Sequence, residues 1–314
     1  MAYVGIQAQI RRNNTRSVLI LMGFPLIILA AVWAIIYFSG AYSYEGQMDV
    51  QAANQAFLGT APWVIIAVGI WFMIAFFAHS SIIQRTTGAK TLERRNNMKV
   101  YNLVENLCIA EGMPMPKVNI IESPALNAYA SGINEKTYTV TLTRGIIERL
   151  NDDELEGVIA HELMHIKNRD VRLLIVSIIF VGILSFMAQV MFRSMFYSSM
   201  GRGRKTDGRL MIVAVLIVFI AYLLSLVFRF SLSRKREYMA DAGAAEMTKK
   251  PRALAGALRK ISGNHRVEGV KSDDVAEMFI ENTPDKSSGV MSFLTGLFST
   301  HPPIDKRIKA LEQY

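Results

Sequence analysis

Four stretches of the chain are apolar with almost no interruption, at about 18–38, 58–78, 173–192 and 210–228. Crossing the hydrocarbon of a bilayer takes about 20 apolar residues in a helix, so each stretch is a candidate membrane span. The first two hold no charge, whereas 173–192 carries Ser177, Ser185 and Gln189. Pro62 is expected in or just before the first turn of the second span, where a missing N–H costs nothing. Arg11, Arg12 and Arg16 precede the first run as in a signal peptide, but that run exceeds the 7–15 residues usual for one, which favours an anchor. The pattern divides the chain into an N-terminal membrane region (1–78), a polar block (79–172), a membrane hairpin (173–228) and a second polar block (229–314).

The polar blocks read as α+β. Residues 93–111 place Val100, Leu103, Val104 and Leu107 on one helical face, and Gly112, Pro114 and Pro116 stop that helix. Lys117–Glu122 and Thr137–Leu142 have the β-branched and aromatic content of strands, with a short strand and turn at Asn127–Gly132 between them. A helix is expected near Asn151, with Glu154 three residues on as in a capping box. Beyond the fourth run, helices are expected around 234–247 and 252–262. A loop-rich stretch over 264–300 could form a lid, and a last helix follows Pro302–Pro303.

Composition narrows the class. Of 314 residues 51% are hydrophobic and 19% charged, less charge than the roughly 25% of soluble domains. This excludes a disordered chain and argues against an ordinary soluble one. One cysteine, Cys108, excludes an internal disulfide framework and cysteine-rich zinc modules. The formal charge of +9 needs no nucleic-acid partner, because Arg229, Arg234, Lys235 and Arg236 cluster beside an apolar run and can meet anionic headgroups. The flank before residue 18 has three Arg and no acid and is expected in the cytoplasm. Loop 39–57, with Glu45 and Asp49 and no base, is expected outside, which returns 79–172 to the cytoplasm. Loop 193–209 breaks the rule with Arg193, Arg202, Arg204, Lys205 and Arg209 against Asp207. Either the third and fourth runs form a hairpin that does not fully cross, or this loop is translocated despite its charge.

His161–Glu162–Leu163–Met164–His165 is the pattern that carries chemistry. On a helix, positions i and i+4 differ by about 40° and one turn of rise, so both imidazoles can reach one metal. Glu162 lies about 100° around the helix, placed to take a proton from metal-bound water. The spacing suits tetrahedral zinc with three protein ligands and one open position. Random placement of five His and sixteen Glu in this chain would give about 0.004 such matches. Leu155, Val158 and Ile159, at i, i+3 and i+4, supply the helical context. A third ligand must come from elsewhere. Glu237 and Asp241, one turn apart after the fourth run, are candidates, although such acid pairs are usually solvated. A hairpin over 166–236 would return the chain to the same membrane side. His165 lies eight residues before Leu173, about 12 Å if helical throughout, which places the metal near the cytoplasmic membrane surface. His79 and His265 have no motif around them, and a His before two prolines, such as His301, is usually a turn residue.

Three segments together, His161–Asp170, Ser233–Asp241 and Ser299–Pro303, resemble the HtpX family of bacterial integral-membrane zinc metalloproteases, relatives of the CAAX prenyl proteases. The likeness runs from about residue 85 to the C-terminus, and the two leading spans also fit. It implies a zincin-like (gluzincin) α+β catalytic domain on the cytoplasmic side of α-helical transmembrane segments in the bacterial inner membrane. It also implies one Zn2+ per chain held by His161, His165 and Glu237, with Asp241 bonding a ligand imidazole and Glu162 as general base. Asn127 would lie on the edge strand that receives an extended peptide, and His301 would help stabilise the oxyanion. The implied activity is a zinc metalloendopeptidase that removes misfolded or damaged membrane proteins, with unfolded polypeptides as substrates, a stress-response role and a risk of self-cleavage. A narrow processing protease is the rival enzyme, disfavoured by only four candidate spans. A non-enzymatic membrane adaptor with a structural zinc site is the rival from another class. A metal transporter would need acids or His inside the spans, and the four runs contain none.

Overall fold

Long unbroken helices dominate because the apolar runs contain few helix breakers. The computed structural model describes residues 6–39, 49–200, 208–262, 278–280 and 302–314. In chain order the elements are α1 (Ile6–Ser39), α2 (Val50–Thr87), β1 (Lys90–Thr91), α3 (Met98–Ala110), β2 (Lys117–Ile121), β3 (Ala128–Ser131) and β4 (Thr139–Thr143). They continue with α4 (Arg144–Arg149), α5 (Asp152–Lys167), α6 (Asp170–Met200), α7 (Gly208–Thr248), α8 (Pro251–Ile261) and α9 (Ile304–Glu312). The chain divides into two units. One comprises residues 1–15, 78–175 and 230–314, the other 16–77 and 176–229.

The second unit contains the apolar parts of α1, α2, α6 and α7. Phe180 of α6 lies between aromatic neighbours, 5.4 Å from Phe24 in α1 and 5.6 Å from Phe72 in α2. Trp33 Nε1 donates to Asn54 Oδ1 at 2.8 Å, joining α1 and α2. The expectation for Pro62 is corrected, because it lies inside α2 rather than at its start. Asp49 opens the helix instead, its carboxylate accepting from Gln51 N at 2.8 Å, and Ala- and Gln-rich residues carry the helix into the apolar run. Among the described residues two helices are long and apolar enough to cross a membrane, Val50–Thr87 and Asp170–Val190. The other two expected spans are helical, and among the described residues their apolar parts are Met22–Phe38 and Ala214–Leu226, each under 18 residues. Loops 40–48 and 201–207 lie outside the described residues.

The first unit is α+β. Its sheet has the order β1-β2-β4-β3. β2 and β4 are parallel, with Lys117 opposite Thr139, and the β1 and β3 edges are antiparallel to them. Gly132, with φ +114° and Thr137 O only 2.4 Å from where a Cβ would sit, ends β3 and turns the chain towards β4. The expected helix over 93–111 begins later, at Met98, because Asn97 caps it by accepting from Val100 N at 3.1 Å. α5 is the central helix, with Leu155, Val158, Ile159 and Leu163 fully buried. Its capping box is complete, since Asn151 N donates to Glu154 Oε2 and Glu154 N to Asn151 Oδ1, both at 2.9 Å. α8 packs closely on α5, where a Cβ on Gly157 would lie 3.2 Å from Leu254 Cβ. No Gly or Pro falls between residues 209 and 242, so the segment expected as a separate helix at 234–247 is the end of α7. α5, by contrast, breaks before α6 at Arg169, with φ +61°. His165 and Leu173 are therefore not on one straight helix, as the 12 Å estimate assumed.

Candidate metal centre

α5 fixes two of the candidate side chains. His161 and Glu162 are buried, at 0% and 2% exposure, and His165 lies one turn below His161. α7 brings Glu237 to the same point. His161 Nε2 and His165 Nε2 are 3.1 Å apart. Glu237 Oε1 is 3.3 Å from His165 Nε2, and Oε2 is 3.7 Å from His161 Nε2. All three donor groups lie within 4.8 Å of one another. Atoms each about 2.0–2.1 Å from one tetrahedral ion are separated by about 3.3 Å, so the spacing matches a shared metal.

Proton positions strengthen the fit. Asp241, one turn along α7 from Glu237, places Oδ1 3.0 Å from His161 Nδ1. Asp170 places Oδ2 3.0 Å from His165 Nδ1. An arginine can only donate, and Arg307 Nη2 lies 3.3 Å from His161 Nε2, so that nitrogen carries a lone pair and Nδ1 carries the proton. With both Nδ1 atoms facing carboxylates, the Nε2 atoms are the ones that converge on the candidate site, as in metal-ligating histidines.

Two buried arginines hold these carboxylates. Arg307, on α9 and fully buried, donates to Asp241 through Nε at 2.9 Å and Nη2 at 2.8 Å. It also reaches Glu237 Oε2 at 3.2 Å and Ile280 O at 3.2 Å. Arg236 pairs with Asp170 Oδ1. Burial by itself raises a carboxyl pKa; the charge of Arg307 overrides that and takes Asp241 down to about 2. Desolvation raises Glu162 above the ordinary carboxylate range, against the pull of His161 and His165. Desolvation pulls His165 down, but the charge of Glu237 and a hydrogen bond to it win, leaving His165 raised.

His161, Glu162, His165, Glu237 and Asp241 are thus brought together. Asn127 directly precedes β3, an edge strand of the sheet. Its backbone faces inward, since Thr143 N donates to Asn127 O at 3.1 Å and Asn127 N donates to Thr143 Oγ1 at 3.0 Å. His301 and most of the 264–300 loop lie outside the described residues. Asp170, Arg236 and Arg307 were not read from the sequence. Arg236 is buried at 6% exposure, a correction to its expected place among lipid headgroups. Asp170 had a usable signal, since five residues after His165 a single turn can bring a carboxylate back to that imidazole.

Residues 94–314 match peptidase family M48. A protease HtpX homolog of Bacteroides fragilis is 54% identical over 322 residues, covering 100% of both chains. HtpX homologs of Dictyoglomus turgidum and Listeria monocytogenes are 40% and 33% identical, over 79% and 97% of this chain and 81% and 98% of theirs. A crystal structure of S. mikatae Ste24p is 18% identical, with a TM-score of 0.47 over 97% of this chain and 67% of that one. The chain belongs to peptidase family M48 and, within it, to the HtpX-type metalloproteases.

Proposed function

We propose that this chain is a zinc-dependent endopeptidase of the bacterial inner membrane, working on the cytoplasmic side on misfolded or damaged membrane proteins. The observation that carries the zinc reading is the convergence of His161 Nε2, His165 Nε2 and a Glu237 oxygen. Bound there, zinc would lower the pKa of a coordinated water towards ~7 and polarise the scissile carbonyl. Glu162 accepts the proton of the attacking water at its carboxylate and passes it to the nitrogen of the leaving amine. Asp241 and Asp170 keep His161 and His165 in the Nδ1–H form throughout. His301 is assigned the oxyanion by its place in the motif Ser299–Pro303.

The peptide is held by β3. Ile280 N donates to Ala128 O at 2.8 Å on the side of β3 away from β4. Alternation along the strand points the N–H and C=O of Ala130 to that same side. An extended substrate adds there as a further strand, beside the asparagine expected to receive it.

The surface of α2, where Leu58, Trp63 and Phe77 are 71–72% exposed, supports a lipid setting for the chain and, with it, substrates presented at the membrane. Apolar side chains in that density call for lipid. The test compares wild type with Glu162→Gln in cutting an unfolded membrane protein in detergent with zinc. Cleavage by wild type alone supports the reading. Cleavage by both, or by neither with one zinc bound per chain, contradicts it.

A further inference from the structure

The turn between α5 and α6 places a left-handed conformation on a residue other than glycine, Arg169 at φ +61°. Its effect is local and specific. Asp170, the first residue of α6, returns to His165, with Oδ2 3.0 Å from Nδ1. Asp170 Oδ1 is paired with Nη1 of Arg236 on α7. Arg236 immediately precedes Glu237, and Glu237 Oε1 lies 3.3 Å from His165 Nε2. The contacts close a ring from Arg236 to Asp170, His165, Glu237 and back along α7. Asp170 and Arg236 are 8% and 6% exposed. An apolar pair of similar volume would join two helices about as well as a buried ion pair, but only an acceptor can hold the Nδ1 proton of His165.

We propose that Asp170 and Arg236 are positioning residues that fix His165 against Glu237, and so tie the metal affinity of the site to their own ion pair. This rests on the reading of His161, His165 and Glu237 as zinc ligands. Asp170 opens α6 (Asp170–Met200) and Arg236 lies towards the end of α7 (Gly208–Thr248), so the pair joins two elements far apart in sequence. Asp241, on α7 and held by Arg307 of α9, faces His161 in the corresponding way, whereas His165 takes its carboxylate from the first residue of α6.

The experiment uses the full chain in detergent carrying Glu162→Gln to prevent self-cleavage, with Zn2+ alone as the probe. Zinc Kd is measured by chelator competition, and helicity by circular dichroism. Asp170→Asn and Arg236→Met are each expected to weaken zinc binding about 10- to 100-fold. Combining them should add little, because both act through His165, and Arg236→Lys should restore most of the affinity. Glu122→Gln, which breaks the exposed pair with Arg144, should leave Kd unchanged. If Asp170→Asn fails to fold, Asp170→Glu takes its place, keeping the charge while displacing the oxygens. Variants that melt earlier but bind zinc within twofold of the parent overturn the proposal. If His165→Ala also leaves zinc binding untouched, the ligand reading itself is overturned, a result distinct from failure of the Asp170–Arg236 pair alone.

Discussion

Arg307 is a fully buried cation whose donors reach Asp241, Glu237, His161 and the carbonyl of Ile280. Replacing it by Met would leave the Asp241 carboxylate buried without its cation, a loss of about 3–5 kcal/mol for a broken buried pair. Arg307→Met is therefore expected to melt well below wild type and to bind zinc more weakly, read by thermal unfolding and a zinc titration. Unchanged stability would remove Arg307 from the account. Cys108 is 2% exposed, and burial pushes its thiol up to about 11. At pH 7–9 it remains neutral and covered, so a thiolate-directed reagent should label it only after denaturation; rapid labelling of the native protein would contradict that. The proximity of His161 and His165 on α5 was legible because a helix converts an i, i+4 spacing directly into nearness. The two arginines were not, since each reaches its aspartate across 66 residues of sequence, a distance that no local pattern encodes.

At the scale of elements, the capping box at Asn151 and the strand content of 117–122 and 137–142 translated into structure, the strands forming at 117–121 and 139–143, because both are local signals. Helix limits inside the apolar runs did not. Pro25 and Pro62 sit within α1 and α2, as membrane helices tolerate when neighbouring groups satisfy the freed carbonyls. The parallel pairing of β2 with β4, with β3 on the outside, depends on long-range register and left no trace in the sequence. That register makes Ala130 a usable probe. Its N–H faces away from β4, so Ala130→Pro removes a donor for the substrate without removing a rung of the ladder. The expected outcome is at least a tenfold fall in kcat/KM on an unfolded substrate, chiefly through KM, with zinc affinity unchanged. A normal KM would place the substrate elsewhere.

For the whole molecule, the excess of apolar residues, the four apolar runs and the metal motif all point to a protease built into a membrane. The family match over 94–314 and the full-length relatives agree. The excess of apolar residues was legible in composition alone. Which apolar runs cross completely was not, since only two of them pass the length test within the described residues. The central claim is that one zinc, bound by residues from α5 and α7, drives proteolysis. Its most direct test is zinc content per chain for Glu162→Gln alone and combined with Glu237→Ala, each purified in detergent and equilibrated with limiting zinc. The account predicts one ion per chain for the first protein and little or none for the second; a full equivalent retained after loss of Glu237 would contradict it.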